Sequence, residues 1–334
     1  MRSAVASGRG NRVIIDRTAF ERYRRSPNAR TTPLRLLLGT AIVVLFWMAA
    51  TLAVLLGGTY AFIVWRASTG AGRPTGGPVQ DFLASPEGIL TALLSFAGIW
   101  IGLWVAMRFV HREPLAALVG DSRRVSWPGF LKGLIAVLIT SLLSEILLYW
   151  LQPEIARGAI GLSTWLLFLI PIAALALLQT SSEEALFRGY LLRGLANRFG
   201  NPLIWAGLPV LLFSALHWSA SSTLAINACV LVSIATFALV LTLLVYATGS
   251  LGAAFGAHLG NNLTGFLLIS HQQSYNSFAL LNARPLEGPG WTGFDAVLIA
   301  AIGIVSSLLT ALLLLHPRSP LRVGPEASRG AGPA

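Results

Sequence analysis

The sequence predicts an all-α, polytopic membrane bundle of about eight transmembrane helices, and three observations carry that reading. Hydrophobic residues make up 55% of the 334-residue chain and charged residues only 11%, against roughly a quarter charged in a soluble domain. The apolar residues recur along nearly the whole chain in blocks of about twenty, the length that crosses a bilayer. The arginines gather between alternate blocks, as they do when basic loops are retained on one side.

In chain order the candidate spans are residues 34–65, 88–110, 130–151, 163–180, 202–217, 224–247, 251–270 and 294–315. The first follows a basic tail, residues 1–33, that holds Arg2, Arg9, Arg12, Arg17, Arg22, Arg24, Arg25 and Arg30. It is too long for a signal-peptide apolar region and is expected to remain as an anchor. Although the formal charge is +11, its placement reads as a topology signal with affinity for anionic lipid, not as a nucleic-acid surface. The Gly/Pro-rich stretch 69–78 then separates the first two spans. Arginine-rich segments 111–128, 183–200 and 316–330 fall on the same side as the N-terminus, which places both termini in the cytoplasm. The fifth and seventh spans are atypical, the fifth carrying His217 near its end and the seventh His258, Asn261 and Asn262 in its middle. Asp295 opens the eighth span, where a capping role suffices. Residues 317–334 form a flexible tail, leaving 34–316 as one membrane domain. Cys229 is the only cysteine, so an intrachain disulfide is excluded.

Three polar clusters interrupt this background. In SSEEALFRGY, Glu184 and Arg188 stand i, i+4 with the acid first, the favourable order for a helical ion pair. Glu183 points to another face with no basic residue one turn on, which leaves it free to act as a general base. In FSALH, Phe213 lies one turn before His217. In HLGNN, His258 and Asn262 share a face, and Gly252, Gly256 and Gly260 form a stripe that admits a close helix neighbour. Taken singly, His217 reads as an interfacial histidine and His258 with Asn262 as interhelical hydrogen-bonding groups. Together they are a functional cluster, since ionisable residues at membrane depth are costly to keep. Glu145 is a competing candidate that either pairs across helices or faces a polar cavity.

EEALFR, FSALH and HLGNN resemble, in order, the EExxxR, FxxxH and HxxxN motifs of the CPBP intramembrane proteases. That family includes CAAX prenyl endopeptidases and bacteriocin-processing or immunity proteins, and the resemblance spans about residues 160–270. It implies that Glu183 and His217 activate water, that His258 and Asn262 stabilise the oxyanion, and that Glu184, Arg188 and Phe213 support them. It also implies an intramembrane endopeptidase whose substrate is a membrane-associated protein or peptide, with the lipid bilayer as its other partner. Zinc is the one cofactor to consider, with Glu183, His217 and His258 as its ligands; a glutamate-dependent, metal-free reaction is the favoured form. The alternatives are a non-catalytic scaffold or bacteriocin-immunity protein of the same fold, and a proton-coupled transporter using Glu145, Glu183 and the histidines as a relay. The arginine- and alanine-rich composition points to a bacterial cell membrane.

Overall fold

The computed structural model describes residues 17–70, 77–151 and 154–325. Arg2, Arg9 and Arg12, most of the 69–78 loop and the end of the C-terminal tail lie outside them. Helices α1 (Thr18–Arg25), α2 (Pro33–Thr69), α3 (Pro78–Ala84), α4 (Pro86–His111) and α5 (Trp127–Leu151) are followed by the short strand β1 (Ile155–Arg157). Next come α6 (Leu162–Arg198), α7 (Leu203–Ala215), α8 (Leu224–Thr248) and α9 (Gly252–Leu263). Strands β2 (Ile269–Ser270) and β3 (Leu281–Ala283) precede the final helix α10 (Gly293–Leu315).

Helix boundaries follow local chemistry. Thr32, Ser85 and Thr223 cap α2, α4 and α8 by accepting from the backbone N–H groups of Arg35, Gly88 and Ile226, with proline at the first helical position of α2 and α4. Thr292 and Asp295 form a reciprocal capping box on α10, the role expected of Asp295. α8 stops at Gly249, whose φ of +68° is the left-handed conformation that glycine adopts without strain.

All eight predicted segments are helical, and among the described residues six helices are long and apolar enough to cross a membrane. Two differ from a simple span. α7 holds 13 residues, about 20 Å of helix, too short for a hydrocarbon core of about 30 Å. α9 is short as well, and every residue from Gly252 to Gly260 is buried, so it is the central helix rather than a lipid-facing one. Non-spanning backbone at membrane depth is tolerated where protein surrounds it. The fourth segment differs in the other direction: α6 does not end near residue 180 but runs on through the glutamate pair to Arg198. Burial of the Glu184–Arg188 pair lets the helix continue through its charges.

α9 packs most extensively against α5, and the glycine stripe is the reason. A Cβ on Gly256 would collide with the Phe130 carbonyl, and one on Gly252 would sit 2.6 Å from the Ser126 carbonyl. Gly133 of α5 reciprocates against Ala253. Side chains such as Leu34, Leu37, Trp150 and Ile170 remain exposed on the outer faces, as expected where lipid is the solvent. The three strands form one small sheet in the order β1-β3-β2, with β1 antiparallel and β2 parallel to β3. Ile155 of β1 and Ala283 of β3 line one end of the central cavity.

Candidate active site

α6 delivers its two glutamates to different surroundings. Glu184 is fully buried; its Oε1 accepts from Arg188 Nη1 at 2.8 Å, one helical turn on. Arg188 then donates through Nη2 to the Ala238 carbonyl of α8 at 3.2 Å. Its guanidinium lies 4.5 Å from the centroid of the Phe213 ring of α7, within cation–π range. One buried pair therefore ties three helices together.

Glu183 turns the other way, into a cavity of about 520 Å³ that is also lined by His217, His258 and Asn262. Glu184 and Arg188 sit behind this wall and do not line it. The Gln179 amide donates to Glu183 Oε1 at 3.5 Å, and Oε2 faces His258 Nε2 at 3.6 Å, beyond direct hydrogen-bond length. Among the described residues, Glu183 thus has far weaker direct partners than Glu184.

The histidines are oriented by what their other nitrogen touches. His258 Nδ1 lies 2.8 Å from Glu184 Oε1; an ionised carboxylate only accepts, so Nδ1 carries the proton. His217 Nδ1 lies 2.9 Å from the Phe213 carbonyl, which likewise only accepts, so the His217 Nε2 lone pair is left for proton transfer. Phe213 packs between them, 4.9 Å from the His217 ring and edge-on to His258 at 5.7 Å. The i, i+4 spacing thus places an aromatic wall as well as a backbone acceptor.

One expectation sharpens at His258. With Nδ1–H committed to Glu184, this ring offers a donor to the cavity only in its doubly protonated form, through Nε2. Asn262 is also already engaged, donating from Nδ2 to Gln179 Oε1 at 3.3 Å, and keeps its second N–H for a ligand.

Two features escaped the sequence reading. Gln179 stands four residues before Glu183, on the same helix face, and the i, i+4 rule applied backwards would have found it. The His271 Nε2 to Glu145 Oε2 pair, at 3.0 Å, joins residues far apart in sequence and had no local signal. Of the alternatives left open for Glu145, it lines the same cavity, whereas its partner His271 follows β2 and does not come from another helix.

Glu183, His217 and His258 are a poor match for a zinc site. Among the described residues no three His, Cys, Asp or Glu side chains are grouped to hold a metal ion. His258 commits Nδ1 to Glu184, while its Nε2 faces Glu183 at 3.6 Å.

Residues 161–264 match the family described as type II CAAX prenyl endopeptidase Rce1-like. The "Uncharacterized protein YyaK" of Bacillus subtilis (strain 168) is 26% identical over 202 residues, which cover 59% of this chain and 67% of that protein. No solved structure matches. The matched stretch contains the glutamate pair, Arg188, Phe213, His217, His258 and Asn262; over these residues the chain is similar to Rce1-like type II CAAX prenyl endopeptidases, and apolar helices long enough to cross a membrane surround them.

Proposed function

We propose that the protein hydrolyses a peptide bond of a membrane-associated protein or peptide inside the cavity bounded by α5 to α10. Glu183 accepts a proton from a water lying between it and the scissile carbonyl, and His217 Nε2 orients that water. The resulting hydroxide adds to the carbonyl carbon. The oxyanion accepts from the second Asn262 N–H and from His258 Nε2–H when that ring is doubly protonated. Collapse of the tetrahedral intermediate expels the amine, which takes back the proton held by Glu183. Glu184, Arg188 and Phe213 hold His258 and the three helices in register. No step passes through a metal.

The observation that supports this reading best is the division between the glutamates: one opens on the cavity beside His217, His258 and Asn262, and the other is sealed behind it. The family supplies the coarser part, a CAAX-type membrane endopeptidase. The arginine pattern supports a cytoplasmic placement of both termini and of the C-terminal end of α6, beyond Glu183.

The test is cleavage of a membrane-tethered reporter by the purified protein in detergent. Glu183→Gln and His217→Asn each lower turnover by at least about 100-fold, the scale of general acid–base catalysis, with the unfolding midpoint unchanged. Wild-type turnover by Glu183→Gln refutes the mechanism.

A further inference from the structure

We infer that Gln179 is a positioning residue that sets the orientation of both Glu183 and Asn262, a role that rests on the catalytic reading above. Its side chain reaches two groups assigned opposite tasks in that chemistry. Nε2 donates to Glu183 Oε1 at 3.5 Å, and Oε1 accepts from Asn262 Nδ2 at 3.3 Å. A neutral primary amide suits this place because it offers a donor at one atom and an acceptor at the other. A carboxylate would set like charge against Glu183, and an apolar side chain would leave both neighbours to rotate.

The bridge settles the Asn262 amide. Asn262 Oδ1 accepts from Asn261 Nδ2 at 3.3 Å, so the donor end of Asn262 is the one turned toward α6 and the cavity. The backbone makes the reach possible. Gln179 and Glu183 share one face of α6, one turn apart, while Asn262 comes from α9, which packs directly on α6. Gln179 also lines the cavity beside the residues it contacts. Both contacts are long by hydrogen-bond standards, so the bridge has room to shorten when substrate carbonyl and water fill the site.

The experiment replaces Gln179 by methionine, which keeps length and removes both polar atoms, and measures kcat and KM on the membrane-tethered reporter. A positioning role lowers kcat about ten-fold with KM and the unfolding midpoint unchanged, the order expected for one or two hydrogen bonds lost from the reacting arrangement. Combined with Asn262→Ala, the loss is less than the product of the single losses, because the two residues act through one contact. A kcat within two-fold of wild type, or strictly multiplicative losses, overturns the inference. If the methionine variant loses its midpoint, Gln179→Glu, which has the same shape, takes its place and is expected to lose kcat at least as strongly. Glu183→Gln is run alongside: full activity there defeats the catalytic reading itself, whereas an inactive Glu183→Gln beside an unaffected Gln179→Met defeats only the role of Gln179.

Discussion

Glu184 holds His258 by a 2.8 Å contact between its Oε1 and the ring Nδ1, and the same oxygen receives the Arg188 guanidinium at 2.8 Å. The other carboxylate oxygen, Oε2, is buried and has no hydrogen-bond partner among the described residues. All the binding at this carboxylate is concentrated on one atom, which makes the contact sensitive to any loss of charge.

The two glutamates are accordingly predicted to fail in different ways. Glu184→Gln weakens the pair and leaves a buried guanidinium uncompensated, an imbalance that costs about 3–5 kcal/mol when a buried ion pair is broken. Thermal unfolding in detergent should show a clear fall in midpoint. Glu183→Gln should unfold like wild type while turnover collapses. Equal unfolding midpoints for the two variants would contradict the separation.

The glycine stripe predicts a packing effect without any chemistry. Gly256→Ala drives a methyl group into the Phe130 carbonyl, a backbone atom that cannot rotate away. The expected cost is about 1–3 kcal/mol from overpacking, together with reduced turnover, because α9 carries His258 and Asn262. Gly57→Ala is the control, as nothing lies within 4 Å of the added methyl. Comparable unfolding midpoints for the two alanine variants would show that α9 is not held by close approach to α5.

These two cases also show what the sequence could reveal. The spacing of Glu184 and Arg188, of His258 and Asn262, and of the three glycines is local geometry on one helix, and each appears as read. Apolar block length located eight of the ten helices named above for the same reason, and missed the short α1 and α3. Contacts between distant segments left no such trace. His271 meets Glu145 only because β2 returns to the end of α5, and the small sheet rests on strands too short to leave a pattern. Within the basic N-terminal stretch, Phe20 and Tyr23 are buried in the core, although arginines dominate the composition around them.

That buried α1 leads to a further prediction. Tyr23 donates its hydroxyl to the Leu118 carbonyl at 2.5 Å, and its ring lies in the same apolar cluster as Leu192 of α6 and Leu251. Tyr23→Phe keeps the ring and leaves that carbonyl without the hydroxyl donor, for an expected loss of about 1–3 kcal/mol. Tyr23→Ala removes the packing too and should cost about 3–5 kcal/mol, by analogy with other large buried aromatic truncations. Unfolding midpoints of both variants, measured with turnover at a temperature where each is folded, should show lost stability with KM unchanged. A wild-type midpoint for Tyr23→Ala would mean that α1 is not part of the cooperative fold.

Chelation provides the last prediction, and it follows from how the candidate ligands are grouped. A zinc ion held by Glu183, His217 and His258 needs a free nitrogen on each ring directed at one point with the carboxylate. His258 Nδ1 is already bound by Glu184, and its Nε2 faces Glu183 at 3.6 Å. That separation would by itself admit a metal at about 2 Å from each atom, but among the described residues no third His, Cys, Asp or Glu side chain is grouped with the two to complete a site. Purified protein treated with a strong chelator and then desalted should therefore keep its turnover, and elemental analysis should find zinc well below one ion per chain. Turnover that disappears on chelation and returns with added zinc, in protein whose unfolding midpoint rises with the same addition, would replace the metal-free mechanism.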